Sequence, residues 1–531
     1  MATKHIIVTG GVVSSLGKGI ISSSIGKLLQ SRGYSVTIQK FVPYINIDPG
    51  TLNPYEHGEC YVTSDGTETD LDLGHYERFT GIRTGRMNSL TTGRIFKTVI
   101  ERERKGDYLG KTIQIVPHIT DEIKRNISVL ASTTGVDFVI TEIGGTIGDI
   151  ESAPFMEAIR QFKWKQEGNV LNVHLTYVPY LCAAGEFKTK PTQHSVKELQ
   201  GDGIQPDILI LRTEKHLDRH LLDKVSSFCN VAKDCVFQSE NLPSIYEVPL
   251  NMQAQGLDTA ILRCLGMDDA ATVSDMTQWK AFVDKYYGAS RSCEVALVGK
   301  YDLQDAYKSI REALVHAATH QEIKVNIRFV NSENIDASNV GEALRGCAGV
   351  IICPGFGTRG TEGKIEAARY AREHDIPALG ICFGMQMMVI EFARNVLGYA
   401  DANSNELDPQ TCHNVIDMMQ EQKTVTALGG TMRLGEFACR LAPTSLARRI
   451  YGTDVIYERH RHRYEFNSAF REAFEAAGMK CSGINPDSGL VEIVEVPSRR
   501  WYVGTQFHPE YSSTVLAPHP LFVDFVKACN L

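Results

Sequence analysis

The hydrophobic positions of this chain cluster in short, β-rich, mainly apolar runs that alternate with helical stretches. In the first half such runs cover residues 5–9, 36–41, 138–142, 173–178 and 208–211. In the second half they cover 294–298, 325–329, 350–353 and 378–382. Continuous apolar runs of strand length suit parallel strands whose two faces are both covered. The mixed stretches between them read as helices, one of them over about residues 20–30. Strands alternating with helices through both halves predict an α/β protein of two doubly wound domains. A polar stretch opens at Met267-Asp268-Asp269, and a fresh strand starts at Val295. The pattern therefore predicts one domain over 1–267, a linker over 268–292 and a second domain over 293–531.

Length supports the division, because 531 residues exceed one ordinary core. A hydrophobic fraction of 43% and a charged fraction of 22% fit a soluble globular protein. The net charge of −8 argues against nonspecific nucleic-acid binding, yet leaves room for local basic pockets that grip phosphate. No run of 18 apolar residues predicts a membrane span. Met1-Ala2-Thr3-Lys4 enters a strand almost at once, so no signal peptide is expected. The 13 cysteines include no Cys-x-x-Cys pair and fit reduced thiols in a cytoplasm. There is no internal repeat.

Candidate chemistry begins at Gly380-Ile381-Cys382-Phe383-Gly384, directly after the apolar run that ends the strand. This Gly-x-Cys-x-Gly pattern is a nucleophile elbow with cysteine in place of serine. The backbone N–H of Phe383 can face a developing oxyanion. Near the C-terminus, Gln506-Phe507-His508-Pro509-Glu510 supplies a base and its orienting carboxylate. Most cysteines and histidines are structural; the elbow and the His-Pro-Glu run together distinguish Cys382, His508 and Glu510 as a triad for acyl transfer through a thioester.

The first strand runs into Gly10-Gly11-Val12-Val13-Ser14-Ser15-Leu16-Gly17-Lys18-Gly19. Glycines let backbone N–H groups curve toward phosphate oxygens, and a following helix adds a favourable partial charge. Lys18 is placed to reach terminal phosphates. The run departs from a P-loop in having one extra residue between the glycines and Gly19 where Ser or Thr would ligate magnesium. Asp70, Asp72 and Glu142 are the carboxylates on offer instead, Glu142 at the end of its strand.

The segments 377–386 and 506–510 resemble the glutaminase domain of class I, triad-type glutamine amidotransferases. The segments 10–19, 46–51, 57–59, 65–79, 144–151 and 188–198 resemble the synthase domain of the CTP synthase family, so that the resemblance covers essentially the whole chain. It implies a P-loop-like amidoligase followed by a glutaminase, which together aminate UTP to CTP with ATP and with ammonia from glutamine or from solution. It implies a 4-phosphorylated UTP intermediate, activation by GTP, inhibition by CTP, and a homotetramer.

The same resemblance assigns residues. ATP would contact Ser15, Leu16, Gly17, Lys18, Gly19, Ile20, Lys40 and Asp72, with Mg2+ on Asp72 and Glu142. UTP or CTP would contact Ser14, Asp149, Ile150, Glu151, Lys188, Thr189, Lys190, Pro191, Thr192, Gln193 and Lys224. Glutamine would contact Gly355, Phe383, Gly384, Met385, Gln386, Glu406 and Arg463, the last two as anchors for the α-ammonium and α-carboxylate. Residues 429–435 resemble a loop associated with GTP. Two departures from the family pattern stand out. The oxyanion strand reads Cys353-Pro354-Gly355-Phe356-Gly357, in which Pro354 offers no N–H but Gly355 does. In addition, Val42 stands where the family carries a carboxylate near ATP. Two other readings stay open: an ATP-dependent amidase of the cobyrinic-acid type with a different acceptor, and a nucleotide-sensing scaffold or filament. Outside that context, 459–463 would read as a basic nucleic-acid patch.

Overall fold

The computed structural model describes residues 2–268, 270–419 and 430–530. Contacts divide the chain into two units, Met1–Asp48 with Asp72–Val283, and Pro49–Leu71 with Asp284–Leu531. The segment Pro49–Leu71 therefore groups with the second unit although the sequence pattern placed it in the first domain. Helix Thr277–Gly288 falls within the stretch expected as a linker. Its Trp279 is buried and donates from Nε1 to the Tyr246 carbonyl at 2.7 Å, within the first unit.

The first unit is built on a seven-stranded sheet, all parallel. In spatial order its strands are Val236–Glu240, Ile208–Thr213, Val170–Tyr177, Lys4–Gly10, Phe138–Ile143, Val36–Val42 and Ser89–Thr91. The five expected strands form the middle, and the two unforeseen ones are short edges. The central strand residues Ile6, Ile7, Val8, Ile38, Val139 and Ile140 have no exposed surface, as strands covered on both faces require. The register sets Glu142 level with Val8 on one neighbour and Lys40 on the other. That places a carboxylate and an ammonium at the strand C-termini, beside the loop that leaves Gly10.

The second unit carries a nine-stranded sheet. Five parallel strands, Ile323–Asn331, Arg291–Gly299, Gly349–Ile352, Ala378–Ile381 and Tyr502–Thr505, continue into Val491–Glu495, Lys480–Ile484, Arg433–Leu441 and Val455–His462, which pair antiparallel. Successive strand residues point to opposite faces. Ala296, Val298, Val350 and Ile352 enter one core, and Val295, Leu297, Ile351 and Leu379 enter the other. Ile381 pairs with Thr505, which brings the residue after one strand next to the chain that follows the other.

Candidate functional site

In the second unit, the Gly-x-Cys-x-Gly run makes the sharp turn its composition calls for. Cys382 has φ 53° and ψ −108°, a backbone that non-glycine residues rarely adopt, and it caps helix Phe383–Asn395. A Cβ on Gly384 would lie 2.8 Å from the Ile352 carbonyl carbon, so only glycine lets the helix sit this close to the neighbouring strand. The Cys382 N–H donates to the Thr505 carbonyl at 2.7 Å.

His508 Nδ1 and Glu510 Oε1 are 2.8 Å apart, and both side chains are buried. With Nδ1–H donated to the carboxylate, Nε2 is left for the nucleophile; it has no other hydrogen-bond partner among the described residues. Burial alone would lower the His508 pKa. The negative charges of Glu510 and Cys382 outweigh that and raise it from 6.5 to about 10. Such a histidine holds a proton readily, as a base serving a thiol must. The Tyr511 ring stacks on the imidazole at 5.0 Å between centroids. Around the thiol, Sγ lies 3.6 Å from the Arg461 carbonyl and 3.7 Å from Gln506 Nε2.

The loop expected to hold the oxyanion is clamped by residues the sequence reading missed. Lys364 is fully buried, and its ammonium donates to the carbonyls of Cys353 at 2.6 Å and Pro354 at 3.2 Å. Burial pushes its pKa down from 10.5 to about 7, against the opposing pull of Cys353. Lys300 donates to the Phe356 carbonyl, and Glu406 accepts from the Gly357 N–H at 2.7 Å. Burial raises the Glu406 pKa. Phe383, Gly384, Met385 and Gln386 form the first turn of the helix after Cys382. Gln386 donates to the Tyr464 carbonyl at 2.8 Å and to Gln506 Oε1 at 3.2 Å. Arg463 donates to Thr431 Oγ1 at 2.6 Å. Of the stretch expected near GTP, Gly429 lies outside the described residues. Arg459, His460 and His462 are buried, so the basic run is not a surface patch.

In the first unit, the glycine-rich run curves through Val12 at φ 78°, Ser15 at φ 58° and Gly17 at φ 89°. Left-handed residues at these three positions bend the backbone sharply between the strand and the helix, the kind of turn from which N–H groups can be offered to an anion. Helix Lys18–Ser31 begins there without a side-chain cap, leaving its first N–H groups open to a ligand. Lys18 Nζ donates to the Gly145 carbonyl at 2.6 Å. Its pKa is lowered by burial, with Glu142 opposing.

Gly19 stands against Asp72, whose carboxylate fills the space a Ser or Thr side chain would take. Lys40 pairs with Asp72 and lies 4.0 Å from Glu142 Oε1. Tyr76, which the sequence reading did not single out, donates to Glu142 Oε2 at 2.6 Å. Burial and the charge of Asp72 raise the Glu142 pKa from 4.5 to about 7. Two carboxylates that disfavour each other's charge beside a phosphate cradle are a donor set a hard divalent cation would relieve.

Gly11 abuts Ser195 and Ile147, which brings the cradle together with the 146–149 turn and helix Lys190–Gly201. Asp149 accepts from the Thr146 N–H at 2.9 Å, while Ile150 and Glu151 are exposed beyond it. Thr189, Thr192 and Gln193 are buried at the start of the helix, and Lys190 is exposed. Lys188 pairs with Glu186 at 2.6 Å, and its hydrogen bond and charge, with a smaller pull from Lys224, lower the Glu186 pKa, so the two lysines share one neighbourhood. Ser15, Leu16, Gly17 and Ile20 line a cavity of about 110 Å³ with Arg212, Ser239 and Glu240, which the sequence reading also missed. Their position at the C-terminal ends of two parallel strands was the available signal.

Two family models match the chain, "CTP synthase N-terminus" over residues 4–267 and "Glutamine amidotransferase class-I" over residues 302–528. The chain is 65% identical over 528 residues to the CTP synthase of Bacteroides thetaiotaomicron, covering 99% of this chain and 98% of that protein. It is 61% identical over 526 residues to the CTP synthase of Porphyromonas gingivalis, covering 99% and 97%. The solved glutaminase domain of Trypanosoma brucei CTPS with bound acivicin is 37% identical, with a TM-score of 0.43, and covers 45% of this chain and 94% of its own.

Proposed function

The chain belongs to the CTP synthase family, and on that premise we propose that it forms CTP from UTP and ATP with ammonia released from glutamine. The observation that carries the proposal is the presence in one chain of a strained cysteine elbow facing a His508–Glu510 pair and a phosphate cradle fronted by Asp72 and Glu142.

In the glutaminase half, His508 takes the Cys382 proton and Sγ attacks the glutamine amide carbon. His508 returns the proton to the departing ammonia, and water then hydrolyses the thioester to glutamate. Phe383 and Gly355 N–H groups are the donors for the oxyanion. Glu406 and Arg463 anchor the free amino acid, with Gly384, Met385 and Gln386 walling its side chain.

In the synthase half, the 4-oxygen of UTP attacks the γ-phosphoryl of ATP and ADP leaves. Ammonia then adds at C4 of the phosphorylated base and phosphate departs, giving CTP. A carbonyl oxygen is a poor leaving group and phosphate a good one, which is why ATP is required. Ser15–Ile20 backbone groups, Lys18 and Lys40 hold the ATP phosphates. Asp72 and Glu142 would hold Mg2+, which neutralises phosphate charge when bound. Ser14, Asp149, Ile150 and Glu151, with Lys188–Gln193 and Lys224, receive the pyrimidine nucleotide, including CTP as inhibitor. GTP as activator, a homotetramer and a cytoplasmic location belong to the same reading, with no nucleic acid or membrane partner. Among the described residues no helix is long and apolar enough to cross a membrane.

The test is to incubate the protein with UTP, ATP, Mg2+ and glutamine, with and without GTP, and to measure CTP. UTP-dependent ATP consumption is expected. Consumption of ATP and glutamine that ignores UTP would favour an amidoligase with another acceptor.

A further inference from the structure

Strand Val455–His462 carries two arginines whose backbone and side chain face different partners. The Arg459 carbonyl accepts from the His508 N–H at 2.8 Å, and the Arg461 carbonyl lies 3.6 Å from Cys382 Sγ. One strand thus touches both the base and the nucleophile through main-chain oxygens two residues apart.

The guanidinium groups of the same residues reach the segment Pro49–Leu71, which groups with this unit. Arg459 donates to Tyr61 Oη at 2.9 Å and to the Val62 carbonyl at 3.1 Å. Arg461 donates from Nε to Glu68 Oε1 at 2.8 Å and from NH2 to the Gly50 carbonyl at 3.0 Å. The Glu68 side chain is 1% exposed, so its charge is compensated by Arg461 and not by water. A second route runs through Tyr511, which stacks on His508. Its hydroxyl donates to the Cys60 carbonyl at 3.0 Å, and its own carbonyl accepts from Tyr61 Oη at 3.1 Å.

We propose that Arg459 and Arg461 are positioning residues through which the Pro49–Leu71 segment sets the geometry of Cys382 and His508, with the Glu68–Arg461 pair as the principal tie. The physical reason is stiffness. A buried, hydrogen-bonded ion pair fixes the strand that carries the Arg461 carbonyl, and a sub-ångström error there misplaces the thiol against its base. Because the segment holds both guanidinium groups of the strand whose carbonyls meet His508 and Cys382, a shift of this segment would be felt at the nucleophile. The inference rests on the glutaminase reading of Cys382, His508 and Glu510.

The experiment measures two things in wild type, Glu68→Gln, Glu68→Ala, Arg461→Ala and the Glu68→Ala/Arg461→Ala double variant. The first is the rate and pH profile of Cys382 alkylation by iodoacetamide, followed on the Cys382 peptide by mass spectrometry. The second is glutamine hydrolysis, resolved into kcat and KM. Each single change is expected to slow alkylation and lower kcat about 10–100-fold with little change in KM. The double variant should be no worse than the worse single one. Ammonia-dependent CTP formation should persist, which excludes general unfolding. Glu68→Gln keeps the volume and removes only the charge, so it decides the matter if the alanine variants fold poorly. Wild-type alkylation and kcat in Glu68→Gln, or additive losses in the double variant, would overturn the proposal. Alkylation needs no glutamine, so it reads the geometry separately from the glutaminase reading.

Discussion

A Cβ placed on Gly19 would stand 2.9 Å from Cγ of Asp72, so the carboxylate occupies the room that a hydroxyl-bearing side chain fills in a standard phosphate loop. In the proposed ATP site the helix opposite the loop, rather than the loop itself, would supply the oxygen ligand. Helix Asp72–Thr80 begins at that residue, which holds the carboxylate at the helix start.

This relationship gives the first prediction. Gly19→Ser restores the standard loop residue but collides with Asp72, and it should remove CTP formation. Lys18→Ala, Asp72→Ala and Glu142→Ala should do the same, each by about 100-fold or more, with glutamine and with ammonia alike. Steady-state CTP assays with both nitrogen sources check this. Ammonia-dependent turnover near wild type in any one of them would remove that residue from the ATP site.

Lys364 carries a prediction about pH. Its pKa falls from 10.5 to about 7 on folding, because burial penalises the ammonium. Between those values the unfolded chain binds more protons than the folded one at this site, so the contribution to stability rises with pH. It is fully present above about 10 and lost as pH falls through about 7. Lys364→Met removes the titration. The stability of wild type relative to this variant should therefore climb from pH 7 to pH 10, as read by denaturant midpoints across that range. A constant difference would mean that Lys364 keeps an ordinary pKa.

Feedback gives a third prediction. CTP and UTP share ribose and triphosphate but differ at the 4-position, an amino donor in one and a carbonyl acceptor in the other. A carboxylate accepts from the amino group and repels the carbonyl oxygen. Glu151→Ala should weaken CTP inhibition about 10-fold or more while shifting UTP saturation much less. Lys190→Ala should weaken both, because a phosphate contact does not read the base. Equal effects of Glu151→Ala on the two nucleotides would leave the discrimination to other residues.

The sequence revealed the parts of the fold that rest on continuous apolar runs. Strands such as Phe138–Ile143 and Ala378–Ile381 are buried along their whole length and read as runs dominated by apolar residues. The antiparallel strand Val455–His462 was not legible, because Arg459, His460, Arg461 and His462 look like a solvated basic run until their partners are known. Those partners, Tyr61 and Glu68, lie 398 and 393 residues away in the chain, a distance no local pattern bridges. Lys364 was missed for a related reason. A lysine within Thr361–Glu373 reads as surface, and only the fold shows its ammonium under the Cys353 and Pro354 carbonyls. The elbow around Cys382 was legible because its glycines are demanded by backbone geometry that any such turn must adopt. The absence of a hydroxyl at Gly19 points to nearby carboxylates, and the fold sets the Asp72 carboxylate against that glycine.

The most direct test of the central claim follows the amide nitrogen. Wild-type protein is supplied with UTP, ATP, Mg2+, GTP and glutamine labelled with 15N at the amide, and the CTP formed is analysed by mass spectrometry. The account expects CTP carrying the label at its 4-amino group. Cys382→Ala should form no CTP from glutamine, yet should form labelled CTP from 15N-ammonium at close to the wild-type rate. Labelled CTP from glutamine in Cys382→Ala, or loss of the ammonium reaction in that folded variant, would contradict the division of labour between elbow and phosphate cradle.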